Sequence, residues 1–343
     1  MHYLSGMDMD QRLNEYTAAG VSIAVIEEGR AVWHGFGLRE NGTGGKITSS
    51  TVFSACSISK FAAALLALKL VSEGQLDLDE DVNRKLKSWM FPGAGVTLRH
   101  LLSHQSGILD PENSFMEFTF PGPYPLMKDI LEGNTVFLPA PAVPVNKPGS
   151  VFRYSDAGFC VVEQVISDVL DSPFTEAVSK LIFAPLGLRN SFYLFEDGKG
   201  ELAAGHNHKG EVLKPCKYPV YPYPASAGLW SAPLDMCKLI GEVMNAWKGK
   251  SAVGITQALA EEMTASQGCS PFTGLGCFLD SADGELEISS LGWGAGFQSM
   301  LFAYPQRGTG AVIMMNADLG VHQMKGLIGE IYKELRPRLV QHA

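Results

Sequence analysis

Hydrophobic positions along the chain fall into short runs with two different periods. Gly20–Ile26 and Ala31–Gly37 are apolar, β-branched or aromatic and are joined by Glu27-Glu28-Gly29-Arg30, a pattern that predicts an antiparallel hairpin with a glycine turn. From Phe61 to Val71 the chain is dense in strong helix formers, and it stops at Gly74, so a mostly buried helix beginning near Ser57 is expected. Further helical signal covers Leu98–Leu102, Gly158–Val169 and Phe174–Leu181. Nine of the 19 prolines lie between Pro92 and Pro148, beside Phe115, Phe118, Phe120 and Tyr124, which predicts long structured loops of the kind that border a site. A second cluster, Pro215, Pro219, Pro222 and Pro224, precedes Ala225–Trp230 and reads as an extended surface connection. Near the end, Glu285–Ser290, Gln298–Tyr304 and Gly310–Asn316 have strand character, and a helix is expected over Val321–Leu335. Strands first, helices in the middle and strands last imply one sheet assembled from both ends of the chain. The expected division is an α/β unit from residues 1–56 and 186–343, with a mainly helical unit, 57–185, inserted.

Composition narrows the class. A chain of 343 residues corresponds to about two units of ~150 residues and can bury a large core. Hydrophobic residues at 46% and charged residues at 18% exclude wholesale disorder. The net charge of −9 repels phosphate backbones and anionic lipid, so neither nucleic acid nor a membrane is an expected partner. The longest clean apolar run, Phe61–Leu68, has eight residues against the ~20 of a spanning helix. Around Met7–Asp10 no basic region leads into an apolar stretch, so a cytoplasmic location is expected, or export if a leader has been removed. Six cysteines without a C-x-x-C pair predict buried free thiols rather than disulfides or a thiolate zinc site.

Ser57-Ile58-Ser59-Lys60 fits S-x-x-K, a pattern that random placement yields about once in a chain of this composition. Its position gives it weight. Ser57 stands where a helix N-cap belongs, and a capping box would put Glu or Gln at position 60. A lysine there faces the positive end of the helix dipole, at a cost of roughly 0.3–1 kcal/mol. Residues three apart share a helix face, so the Lys60 amine is brought near the Ser57 hydroxyl. Dipole and burial both disfavour charge on Lys60, giving a neutral amine that can take the serine proton; the alternative is a capping serine beside a solvated lysine. Tyr154-Ser155-Asp156, immediately before a helical pattern, is the one Y-x-N or Y-x-D triplet in the chain.

These motifs in this order, with a glycine-bearing strand near the C-terminus, resemble the serine β-lactamase-like superfamily: class C β-lactamases, low-molecular-weight penicillin-binding proteins and family VIII carboxylesterases. Thr97–Gly107, Glu73–Asp79, Ala227–Trp230 and Gly296-Phe297 through Asn316 are similar to its recurring stretches. The resemblance implies an antiparallel sheet flanked by terminal helices, plus a helical lobe, with the site in the cleft between them. It further implies Ser57 as nucleophile, Lys60 as its proton partner and Tyr154 as the phenol that passes a proton to the leaving group. By the same correspondence Ser290-Leu291-Gly292 stands where β-lactamases carry Lys-Thr-Gly, and the backbone N–H groups of Ser57 and Trp293 form the oxyanion hole. Ser290, Gly292 and Asn316 are then substrate-binding positions. Ser290 replaces the cationic lysine, and Leu319 stands where an arginine is often found, so both anchors for a substrate carboxylate are missing. Asp156 replaces the usual asparagine. Placed near Lys60 it favours the ammonium and shifts the base duty toward Tyr154; placed otherwise it caps the following helix.

Other signals are weaker. His104 reads as a hydrogen-bonded structural histidine, and Gly205–Gly210, with His206 and His208, as a solvated turn with little claim to a metal. The expectation is a serine hydrolase without metal or organic cofactor, acting on a small-molecule ester, amide or peptide, with carboxylesterase the first choice. A D-amino-acid peptidase or penicillin-binding protein, a class C-like β-lactamase, an acyltransferase, and a non-catalytic acyl-binding sensor remain as alternatives. Monomer and homodimer are not distinguished.

Overall fold

Val21, Ile23 and Val25 alternate with Ser22, Ala24 and Ile26 in β1 (Gly20–Glu27), and all six are buried. A strand with period two that is covered on both sides must lie inside a layered sheet. The computed structural model describes residues 4, 6–27, 29–119, 123–193, 200–282 and 284–341. After β2 (Arg30–Gly37), four short strands follow: β3 (Thr51–Ser54), β4 (Ser191–Phe192), β5 (Glu201–Leu202) and β6 (Trp230–Ser231). They form a small sheet in the order β4-β6-β3-β5. The main sheet is completed by β7 (Phe278–Ala282), β8 (Glu285–Gly294), β9 (Phe297–Tyr304) and β10 (Thr309–Met315), in the order β2-β1-β10-β9-β8-β7. Every pairing in it is antiparallel, and Val21 sits opposite Met315. The sheet is therefore closed from both ends of the chain, as the strand pattern implied.

One face of this sheet packs on the helices Met9–Glu15 and Leu327–Gln341, through Leu13, Ile23, Phe302, Ile313, Ile331 and Leu335. The other face, with Ala24, Leu301, Val312 and Met314, joins the larger core that includes the helices Ser59–Ser72, Asp156–Leu170 and Pro233–Trp247. The last of these was not expected, although Pro233 at its first turn and apolar residues at Met236, Leu239, Ile240, Val243 and Trp247 carry the helical period. Nor was Gln257–Met263, while Met9–Glu15 is the N-terminal member of the terminal helices that the resemblance implied.

Two expectations need correction. The proline cluster Pro215–Pro224 is no extended surface connection: Pro219, Val220, Tyr221, Pro222 and Tyr223 are buried, and the helical turn Pro224–Ala227 that follows packs between Ser59–Ser72 and Asp156–Leu170. Contacts between the helical region and the rest thus cross the boundary at 186. The aromatic residues of the proline-rich loops also turn inward: Phe115 and Phe118 pack against the main core, while Tyr124 lines a separate cavity beside Glu163. Phe120 lies outside the described residues. Among the described residues no helix is long and apolar enough to cross a membrane.

Candidate active site

Ser57 is presented by a strand–turn–helix junction. β3 ends at Ser54, Cys56 takes a φ of +49°, and the tight turn Cys56–Ile58 runs into the helix Ser59–Ser72. A positive φ is costly for any residue with a Cβ, and the surrounding bonds hold it. Ser59 Oγ donates to Cys56 O (2.6 Å) and accepts from Leu229 N (2.9 Å), while Ser299 Oγ donates to Ala55 O (3.1 Å). β8 lies against the same turn. Its pairing with β7 stops at Ser289, so among the described residues Ser290–Gly294 runs past the turn with no strand paired on that side. Gly292 permits the approach, since a Cβ there would sit 2.2 Å from Ala55 O and 2.3 Å from Ser299 Oγ.

Around Ser57 the predicted partners converge. Lys60 is buried, and its Nζ donates to Ser57 Oγ (3.2 Å), Asp156 Oδ1 (2.6 Å) and Ser226 O (2.9 Å). Three acceptors satisfy an ammonium completely. The Lys60 Nζ also lies 5.0 Å from the centre of the Tyr154 ring, whose hydroxyl is near enough to Lys60 and Ser57 for both to act on its proton affinity. Tyr154 is stacked on His104, ring centres 4.3 Å apart. Ser57, Lys60, Tyr154, His104, Phe278 and Ser290 line a space of about 10 Å³, the room of roughly one water.

The charges are set by competing effects. Burial works against the Lys60 ammonium, but the Asp156 carboxylate and then Tyr154 outweigh it and lift its pKa above the ordinary lysine value. Burial likewise opposes Asp156, yet Lys60 holds its pKa below the usual carboxylate range. The neutral amine expected from the helix dipole and burial is thereby reversed, and the route by which Asp156 favours the ammonium is the one the structure contains. Tyr154 is 38% exposed as a residue, but desolvation at its hydroxyl end raises the phenol despite the lowering effect of Lys60. His104 is pushed down to about 3 by burial first and Lys60 second, so it is a neutral structural ring, with Nδ1 accepting from Ser155 N (3.2 Å).

Asp156 is not the helix cap. Ser155 fills that role, its Oγ accepting from Gly158 N (2.9 Å). Asn316 does not reach the cleft: it is buried, and its amide donates to the carbonyls of Leu38, Arg39 and Ala204. Leu319 is partly buried and packs against the core cluster under the terminal helix. His206 is buried rather than solvated, its ring between Asn41 N and Asn316 O, and no metal-binding cluster occurs among the described residues. Cys56 is a buried thiol pushed up to about 12, by burial above all.

Sequence reasoning missed two supports. Ser226 accepts from Lys60 through its carbonyl and donates its hydroxyl to Asp156 Oδ1 (2.6 Å). Asp110 accepts from Ser155 Oγ (2.7 Å) and Asp156 N (2.6 Å), and burial, then Asp156, raises it to about 6. Ser226 lies just before the Ala227–Trp230 stretch and Asp110 in the proline-rich loops, and neither stands in a motif of its own.

The Beta-lactamase family model matches residues 8–331, nearly the whole chain. The chain belongs to the Beta-lactamase family. Its curated relatives include penicillin-binding protein 4 of Amycolatopsis lactamdurans, 28% identical over 225 residues, covering 64% of this chain and 56% of that protein. Another is the teichoic acid D-alanine hydrolase of Staphylococcus aureus, 26% identical over 231 residues, covering 65% and 53%. The chain thus spans about half the length of the curated relatives it matches. Among solved structures, the D-amino acid amidase of Ochrobactrum anthropi SV3 superposes with a TM-score of 0.79 at 19% identity, covering 100% of this chain and 99% of that one. The penicillin-binding protein homologue of Pyrococcus abyssi gives 0.74 at 23%, covering 97% and 76%. These likenesses establish the serine β-lactamase/DD-peptidase fold for this family member.

Proposed function

We propose that the protein is a serine hydrolase working through an acyl-enzyme on Ser57, and that its substrates are small esters without a carboxylate. The observation that carries this reading is the position of Lys60 Nζ, between Ser57 Oγ at 3.2 Å and Asp156 Oδ1 at 2.6 Å. Ser57 Oγ attacks the acyl carbon, its proton passes to the deprotonated form of Tyr154 beside the Lys60 ammonium, and Tyr154 returns it to the leaving alkoxide. The N–H groups of Ser57 and Trp293 receive the oxyanion, and water then repeats the sequence to release the acid.

The ester preference rests on Ser290, the residue in the cleft where a cation would grip a carboxylate. Amide hydrolysis is the second reading, favoured by the likeness to a D-amino acid amidase. Labelling with a serine-directed phosphonate tests the common step. Intact mass should show one adduct, on Ser57, and Ser57→Ala should show neither adduct nor turnover of p-nitrophenyl butyrate; an adduct elsewhere, or an active Ser57→Ala, refutes the reading.

A further inference from the structure

Trp293 and Asp318 stand together beside the Ser57 turn. The Trp293 side chain is 43% exposed, and its Nε1–H donates to Asp318 Oδ1 at 2.8 Å. The same oxygen accepts from Gly320 N at 2.9 Å. These bonds hold the indole by its edge and leave ring surface open to solvent. Asp318 Oδ2 has no hydrogen bond, and Asp318 has no ion-pair partner, among the described residues. Trp293 belongs to the Ser290–Gly294 stretch of β8 that lies against the nucleophile turn, and Asp318 is near enough to act electrostatically on Cys56.

An indole face is the aromatic surface that attracts a cation best, and a carboxylate at its rim adds to the attraction. The remaining charges do not cancel it. Lys60 is the one lysine or arginine lining the space over Ser57 and is consumed by Asp156, while His104 is neutral. The chain as a whole carries −9, which raises the local concentration of cations and lowers that of anions.

We propose that Trp293 and Asp318 form a subsite for an ammonium group of the substrate, so that an ester bearing a quaternary or protonated amine is preferred to a neutral ester of the same shape. The inference rests on the Ser57 hydrolase reading and sharpens its substrate class: neutral esters are accepted, cationic ones favoured and carboxylates repelled.

Isosteric pairs that exchange nitrogen for carbon isolate the charge. Choline butyrate against 3,3-dimethylbutyl butyrate places it in the leaving group. The p-nitrophenyl esters of 4-(trimethylammonio)butyrate and 5,5-dimethylhexanoate place it in the acyl group. In at least one pair the charged member is expected to have a kcat/KM about three- to thirtyfold higher. Asp318→Asn should bring that ratio close to one, and Trp293→Leu should reduce it. Because the readout is a ratio, a general loss of activity or stability in a variant cancels. Calorimetric titration with choline alone gives a second measure that needs no turnover: the wild-type protein should bind it, and Asp318→Asn about fivefold or more weakly. Ratios at or below one in both pairs, or a ratio and choline affinity unchanged by Asp318→Asn, overturn the subsite. Absent Ser57 labelling refutes the hydrolase reading instead, and the choline titration still decides the subsite.

Discussion

At Ser57 the hydroxyl to be activated faces an ammonium that Asp156 keeps charged from 2.6 Å away and a phenol whose pKa burial has raised. Neither neighbour is a base in the resting state at neutral pH. The reactive form, with Tyr154 deprotonated beside charged Lys60, therefore grows as pH rises, and kcat/KM should climb through the neutral and alkaline range. Asp156 controls where that climb occurs, because its negative charge raises both Lys60 and Tyr154. Asp156→Asn removes the charge, lowers both pKa values, and should move the ascending limb to lower pH while leaving much of the plateau rate. Tyr154→Phe deletes the proton carrier and should cost about 10²–10⁴-fold at every pH. If Asp156→Asn proves the more damaging change across the profile, or leaves the limb where it was, Asp156 is itself a proton carrier and the roles assigned here are reversed.

The elements that hold this triad differ in how far their residues announce them. The helix after Ser57, the hairpin, the three late strands and the Tyr154-Ser155-Asp156 approach follow from periodicity and short motifs, because each is decided by residues adjacent in the chain. The positive φ of Cys56, the buried turn Pro224–Ala227 and the carboxylate of Asp110 are decided by distant partners. A cysteine does not announce a left-handed backbone, and a proline-led apolar segment looks alike on a surface and in a core. The same turn yields a prediction. Ala225 N donates to Glu163 Oε2 (2.8 Å), which couples the turn to the helix Asp156–Leu170, and burial raises Glu163 to about 8. A carboxyl whose folded pKa lies above its unfolded value of 4.5 binds more protons folded than unfolded. Stability is then lost as pH rises through that interval, fully by about 8. Glu163→Gln keeps the acceptor and removes the titration, so its Tm should exceed that of the wild type by at least about 2 °C near pH 9 and by little at pH 5. A difference independent of pH would show that Glu163 is not the titrating group.

For the whole molecule, charge and architecture bear on substrate choice together. A net charge of −9 opposes the approach of an anion, and among the described residues the cleft offers no unpaired cation to compensate: Lys60 is paired with Asp156, Ser290 is a hydroxyl, and the partly buried Leu319 side chain packs against the core under the terminal helix. Position 319 thus carries an apolar side chain turned toward the core where a carboxylate anchor would need a cation. Ser290→Lys is the substitution that returns a cation to the cavity. Forgoing a charge-assisted hydrogen bond to a carboxylate costs about 1.5–3 kcal/mol, or roughly a ten- to hundredfold handicap in kcat/KM. Tributyrin and p-nitrophenyl butyrate are accordingly expected to be hydrolysed with higher kcat/KM than nitrocefin or a D-alanyl dipeptide, with tributyrin included because p-nitrophenol leaves unusually well. Two further measurements separate the charge argument from simple misfit of the larger substrate. Raising the ionic strength should screen the repulsion and improve nitrocefin relative to the butyrate esters. Ser290→Lys should move the same ratio in the same direction, by about tenfold. Nitrocefin turned over faster than every ester, or a ratio indifferent to both salt and Ser290→Lys, would place the selectivity in the shape of the cleft and not in its charge.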